Sequence, residues 1–381
     1  MIDRLLVLRR LLTDAAADAI PERLAEGLAT AYGITDTELY LVDYRLAALV
    51  PVFDGPPRTH PGDPVWRCFD HQSPVNENSV MFLPVSVRGE RIGVLSCAPA
   101  PESPELVAEV AEALAHELEA ANGGTDRYQS AARIRRLTLA AEMQWELLPA
   151  RGRIRPAFGL AGQLEPSYAV RGDSFDWADQ DGRVSLSVLN GMGEGVSAAL
   201  LTSLATFALR NARRAGIPLA DQAALADQAI YAEHQGLRHV SALLLELNLT
   251  TGEMLAVDAG SPRLLLLRGT AVHEQKLTKE FPLGMFEETD YRVQSFRLEP
   301  GDRLLLVSDG VYDAVTATGR YGDAALARFV RRTGSLAPLQ AVRSLLGDLR
   351  AFVGDAELED DAVAVCLDFR GLDTGTEKAA T

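Results

Sequence analysis

Four short segments bring an acid or an amide to the end of an apolar run. In Val170-Arg171-Gly172-Asp173-Ser174-Phe175-Asp176 the run turns at a Gly-Asp pair. Ser185–Leu189 leads into Asn190-Gly191-Met192-Gly193-Glu194-Gly195, followed by a helical stretch Val196–Arg214. The strand-like Arg303–Val307 ends in Ser308-Asp309-Gly310-Val311, and Glu359-Asp360-Asp361 precedes the apolar Ala362–Val365. An Asp delivered to a strand tip and followed by Gly suits a hard cation: the carboxylate reaches the ion, and Gly lets carbonyls and waters approach it. Taken singly, each such pair is ordinary turn punctuation.

The elements around these residues read as two domains. Ile2–Leu12 has Leu5, Leu8 and Leu12 at helical spacing, and Pro21–Tyr32 continues as a second helix. Glu38–Asp43 and Ala47–Phe53 read as strands, followed by a Pro/Gly-rich loop from Gly55 to Pro64. Val80–Val87 and Arg91–Ser96 flank Arg88-Gly89-Glu90, a hairpin signature. Ser103–Ala121 then closes the unit as a helix with Leu106, Val110, Ala113, Leu114 and Leu118 on one face. After Asn122-Gly123-Gly124-Thr125, a linker helix is expected over 122–149, with Ile134, Leu137, Ala141 and Leu148 in one stripe opposed by Arg133, Arg135, Arg136 and Glu142. That stripe suits a signalling helix that pairs with a second copy in a homodimer, or a helix that packs on its own chain. Strand-rich and helical segments follow over 150–370, and the small polar residues 371–381 read as a disordered tail.

Over Arg4–Ala121, helix, strands, loop, hairpin and closing helix together resemble a GAF-type sensor domain. The resemblance rests on Gly62-Asp63-Pro64-Val65-Trp66-Arg67, Ser73-Pro74-Val75 and the Leu83-Pro84-Val85…Ile92-Gly93-Val94-Leu95 hairpin. It implies a small-molecule ligand, for which Trp66 and His71 are pocket candidates or simply core and loop residues. Leu147–Phe369 resembles the metal-dependent (PPM-type) protein phosphatases, in their bacterial SpoIIE-like branch. Besides the four acidic segments it shares Leu147-Leu148-Pro149, Ala259-Gly260-Ser261-Pro262, Pro282-Leu283-Gly284 and Pro300-Gly301-Asp302. The implied fold class is α+β: a GAF-like sheet with flanking helices, the linker helix, and a C-terminal α-β-β-α sandwich. The implied cofactors are two Mg²⁺ or Mn²⁺ ions, which hold the phosphate and activate a water. Carried over by position, Asp173, Asn190, Asp309 and Asp360 would be metal ligands, with Gly191 offering its backbone carbonyl. Asp176, Glu194 and Asp361 would be accessory acids, and no covalent nucleophile is needed.

One departure from the family pattern stands at the centre of the site. The carboxylate that normally bridges both ions falls at position 190, which here is Asn; an amide offers one neutral oxygen where a carboxylate offers two anionic ones. Ser261 replaces the usual His, and Val363 a frequent Thr. Two functions follow. One is a protein serine/threonine phosphatase acting on a phosphorylated STAS-type signalling protein in sigma-factor regulation, under control of the GAF-like domain, with Glu194 lending the missing carboxylate. The other is a pseudophosphatase that keeps the fold and binds a phosphoprotein or relays a signal.

Composition narrows the field further. With 37 Lys and Arg against 53 Asp and Glu, the net charge of −16 argues against nucleic acid and anionic membrane as partners. Three cysteines, none in a C-x-x-C pair, exclude a disulfide framework and a Cys-based zinc site. The charged N-terminus is not a signal peptide and no run is long enough to span a bilayer, so a cytoplasmic protein is expected.

Overall fold

The computed structural model describes residues 2–101, 104–167, 170–316, 319–354, 356 and 358–372. The chain divides into two compact units, Met1–Arg136 and Leu137–Thr381. The expected tail is largely outside the described residues. Among the described residues no helix is long and apolar enough to cross a membrane.

The first unit is built on one antiparallel sheet, in the order Leu49–Pro51, Asp36–Val42, Glu90–Ala98, Val80–Val87, Val75–Glu77. The anticipated hairpin turns at Arg88 and Gly89, both at positive φ. Helices Ile2–Thr13, Ile20–Tyr32 and Pro104–Ala121 cover one face of this sheet. Their Leu8, Leu12, Leu24, Leu28, Leu114 and Leu118 join Leu39, Leu41, Leu83, Val85 and Leu95 in a single core.

The expected linker helix is a correction. Its span holds two short helices, Arg127–Ala131 and Leu139–Leu147, in different units. The first is tied into the N-terminal unit, where Arg127 pairs with Glu22 and the buried Tyr128 hydroxyl donates to the Ala17 carbonyl at 2.5 Å. Thr138 is extended and starts the second helix, its hydroxyl accepting from the Ala141 amide at 3.2 Å. The apolar spacing that suggested one helix therefore belongs to two environments: Ile134 is exposed, Ala141 is buried, and Leu148 packs on the core of the second unit.

The second unit is a sandwich of two antiparallel sheets. One runs Gln294–Arg297, Glu253–Ala259, Val240–Asn248, Arg183–Gly191, Asp173–Gln180. The other runs Ala271–Glu274, Arg263–Arg268, Arg303–Val307, Ala362–Phe369, Phe158–Glu165, Gly152–Ile154. Side chains alternate faces along a strand, and the core follows that period. Phe175, Trp177, Val184, Leu186, Val188, Leu243, Leu245, Leu304, Leu306, Val363, Val365 and Leu367 fill the space between the sheets. The intervening Leu189, Val240, Ala242 and Leu244 face outward under helices Gly195–Arg214 and Leu219–His234. On the opposite face Leu305, Val307, Ala364 and Cys366 lie under helix Pro338–Val353. The unit is the α-β-β-α sandwich expected from the sequence.

Candidate active site

The acids gather where strands of both sheets end. Asp173 opens its strand directly opposite Asn190, in register across the antiparallel pair. With Phe175 and Trp177 facing the core, alternation turns Asp173 inward; Asn190 shares the inward face of Leu186 and Val188. From the second sheet, Asp309 begins the short helix Asp309–Tyr312 just after strand Arg303–Val307, beside Asp360 and Asp361 at the head of strand Ala362–Phe369. A Cβ on Gly310 would collide with the Asp361 carbonyl, so glycine lets the Asp309 turn lie against the Asp360-Asp361 backbone. Asn190 joins the two sheets: its Nδ2 donates to Asp309 Oδ1 at 2.7 Å and to Ser261 Oγ at 3.4 Å.

Asp173 is fully buried, and neither carboxylate oxygen has a hydrogen-bond partner. Burial, then the Asp361 and Asp309 carboxylates, hold its carboxyl well above the usual range. Burial also raises Asp309. Asp360 is pushed up to about 6, first by burial and then by Asp309. A buried, orphaned carboxylate beside two others must take a proton or a cation. That chemistry fits a divalent hard ion. Among the described residues, however, no three His, Cys, Asp or Glu side chains approach closely enough to hold a metal unaided.

The carboxyl shifts set a pH dependence. Because the folded state raises the Asp360 carboxyl, this group stabilises the fold most when protonated, and the contribution is lost as pH rises from about 4, where a free Asp ionises, to about 6. Metal-free wild type should therefore lose stability relative to Asp360→Asn across that window, and saturating Mn²⁺ should reverse the order above it. Thermal melts of both proteins from pH 4 to pH 7, with and without Mn²⁺, check this; parallel curves would count against it.

Asp361 organises the site. Fully buried, its Oδ1 accepts from the Ser167 amide and hydroxyl, both at 2.8 Å. Its Oδ2 accepts from the Arg171 amide at 2.7 Å, the Gly172 amide at 3.0 Å and Gln144 Nε2 at 2.7 Å. The carboxylate thus holds the turn that presents Asp173. Gly191 closes the other side: its amide donates to the Gly172 carbonyl at 3.1 Å, and a Cβ there would collide with the Thr202 hydroxyl.

Two expected accessory acids are not part of this cluster. Asp176 stands three residues from Asp173, so strand alternation turns it to the outer face. There it pairs with Arg210 at 2.8 Å and Arg213 at 3.0 Å, both from helix Gly195–Arg214. Glu194 is exposed at the start of that helix and its side chain does not cap it, so it lends no carboxylate to Asn190 in this structure. Val363 is a core residue. Sequence reasoning missed Gln144, Ser167 and Thr202. Gln144 carried a readable signal, being the polar position on the otherwise apolar face Ala140, Ala141, Trp145, Leu147.

Comparison with known proteins follows the same residues. The family model described as Stage II sporulation protein E (SpoIIE) matches residues 180–370. That span takes in Asn190, Gly191, Asp309, Asp360 and Asp361, with Asp173 just ahead of it. Phosphoserine phosphatase RsbU of Bacillus subtilis is 20% identical over 232 residues, which cover 61% of this chain and 69% of RsbU. Phosphoserine phosphatase RsbP of the same organism is 27% identical over 153 residues, covering 39% of this chain but only 38% of RsbP. The crystal structure of the RsbU and RsbW domains of a Mycobacterium tuberculosis protein is 25% identical, with a TM-score of 0.47, over 57% of this chain and 61% of that one.

Proposed function

Because the chain belongs to the SpoIIE family of PP2C-type phosphatases, we propose that it is a metal-dependent phosphatase of phosphoserine or phosphothreonine in a STAS-type signalling protein, regulated by its N-terminal unit. The observation that carries this reading is the orphaned, buried Asp173 carboxylate set opposite Asn190 and near Asp309 and Asp360. Asp173, Asp309 and Asp360, with the Asn190 amide oxygen and the Gly191 carbonyl, would hold Mg²⁺ or Mn²⁺. Bound there, such ions supply an acidified water and charge neutralisation for phosphoryl transfer. The chain's own part is to bind and orient. Arg171 lines a cavity with Asp309, Gly310, Asp313, Glu359 and Asp360, where its guanidinium offers paired donors to phosphate oxygens. RsbU and RsbP are named phosphoserine phosphatases, which puts phosphoserine first among substrates. The five-stranded sheet and helices of the first unit suit a GAF-like sensor.

A second reading, a pseudophosphatase that binds phosphoprotein without turnover, is favoured by one contact. Asn190 points a donor, rather than an oxygen, at Asp309. The test is release of phosphate from a phosphoserine-bearing STAS-domain protein in Mn²⁺ buffer, by the full chain and by Asp309→Ala. The phosphatase reading expects slow release by wild type and none by the variant. Retained binding of the phosphoprotein with no release by either protein supports the second reading.

A further inference from the structure

We propose that Gln144 is a positioning residue for the metal centre, holding Asp173 through its backbone and Asp361 through its side chain with one amide group. The proposal rests on the metal-site reading above. Gln144 sits on helix Leu139–Leu147, the first helix of the second unit, and is 1% exposed. Its Nε2 donates to the Asp173 carbonyl at 3.0 Å and to Asp361 Oδ2 at 2.7 Å. Both protons of the amide nitrogen are thereby used. Its Oε1 is buried without a hydrogen-bond partner.

A buried amide with an unsatisfied oxygen is costly to keep, and a hydrophobic residue of similar size would fill the space without that cost. What the amide adds is a direct link between the Asp173 backbone and the Asp361 side chain, alongside the 171–172 turn and the Ser308 hydroxyl, which donates to the Asp361 carbonyl. One hydrogen fixes the height of the Asp173 backbone at the strand end. The other completes the donor set of Asp361, which itself holds the Arg171 and Gly172 amides. Beyond the nearby Ser308 hydroxyl, which favours its charged form, the buried Asp173 carboxylate has little to orient it, so its direction depends largely on how firmly this backbone is held. A small movement of the helix carrying Gln144 would shift both ends together. The Asp173 carboxylate, and the affinity of a cation bound there, would follow.

Gln144→Met tests this, since methionine keeps the length and volume while removing the donor. Two readouts are taken on the full chain: Mn²⁺ binding by calorimetry, and amide hydrogen exchange of the metal-free protein. The expected result is Mn²⁺ affinity weakened about tenfold or more, as for other groups that orient a metal ligand. Exchange should speed up at Arg171 and Gly172, while the core amides of Leu243, Leu245 and Val365 keep their rates. Gln144→Ala should reproduce both effects if methionine fits poorly. Unchanged affinity and unchanged exchange at Arg171 and Gly172 would overturn the proposal. So would faster exchange throughout the sandwich core, which marks a general packing role. If wild type itself takes up no Mn²⁺, the metal-site reading has failed separately. Exchange at Arg171 and Gly172 then decides whether Gln144 holds the Asp173 turn.

Discussion

Asn190→Asp is expected to tighten Mn²⁺ binding by about a hundredfold and to raise the phosphatase rate with it. At an effective dielectric of ~20, a unit charge ~4 Å away is worth about 4 kcal/mol per unit of opposing charge. Desolvation and the lost amide contacts offset much of that, and a net gain of roughly 3 kcal/mol is about a hundredfold in affinity. The substitution is nearly isosteric, so packing should hold. It also removes the donor that Asn190 gives Asp309 and places one more acid beside Asp173, Asp309 and Asp360. The metal-free variant should therefore melt below wild type, and Mn²⁺ should lift it further. Calorimetric titration and melts with and without Mn²⁺ read both effects. Unaltered Mn²⁺ affinity would remove the bridging charge as the limiting feature. Tight binding with no turnover would leave the pseudophosphatase reading standing.

Asp361→Ala should be the most damaging single change to stability in the site. Alanine would strand the Ser167 and Gly172 amides, the Ser167 hydroxyl and the Gln144 amide in buried surroundings, together with the partly buried Arg171 amide. Hydrogen bonds to a charged acceptor contribute about 1.5–3 kcal/mol each, and they do not add fully within one network. A loss of about 4–5 kcal/mol is expected, lowering the melting temperature of a domain this size by roughly 10 °C or more. Asp361→Asn keeps one acceptor oxygen but turns an NH₂ toward the same donors, so it should recover only part of the loss. Thermal denaturation of the two variants checks this; an alanine variant that melts beside wild type would show that Asp361 does not hold the turn.

Much of this structure was legible because strand period and chemistry coincide. The alternation through Val184, Leu186 and Val188 marks both the strand and its core face, and carries on to Asn190 at its end. The four segments with acids at apolar ends do come together, since such ends meet at one rim of a sandwich. The same alternation, applied strictly, separates Asp176 from Asp173, because an odd step reverses the face. Spacing alone was less informative around Arg133–Arg136, where apolar positions three and four apart ran through a non-helical stretch. What divides that span is the Thr138 cap, which starts the second helix, together with contacts that each half makes within its own unit, and only the cap is local in sequence. Gln144 and Ser167 lie far along the chain from Asp361, so nothing in their own neighbourhoods names the acid they serve.

The hydrogen bond from the Gly191 amide to the Gly172 carbonyl has a chemical consequence over time. Asn-Gly is the dipeptide most prone to spontaneous deamidation, because the glycine nitrogen can attack the asparagine side chain and close a succinimide ring. In this fold that nitrogen is engaged, and Asn190 lies in an extended strand paired with both Asp173 and Ser241. Ring closure requires the strand end to come loose first. The folded chain therefore shields the one amide whose hydrolysis would create the absent carboxylate. Any aspartate or isoaspartate that accumulates at position 190 serves as a clock of how long this strand end has spent open.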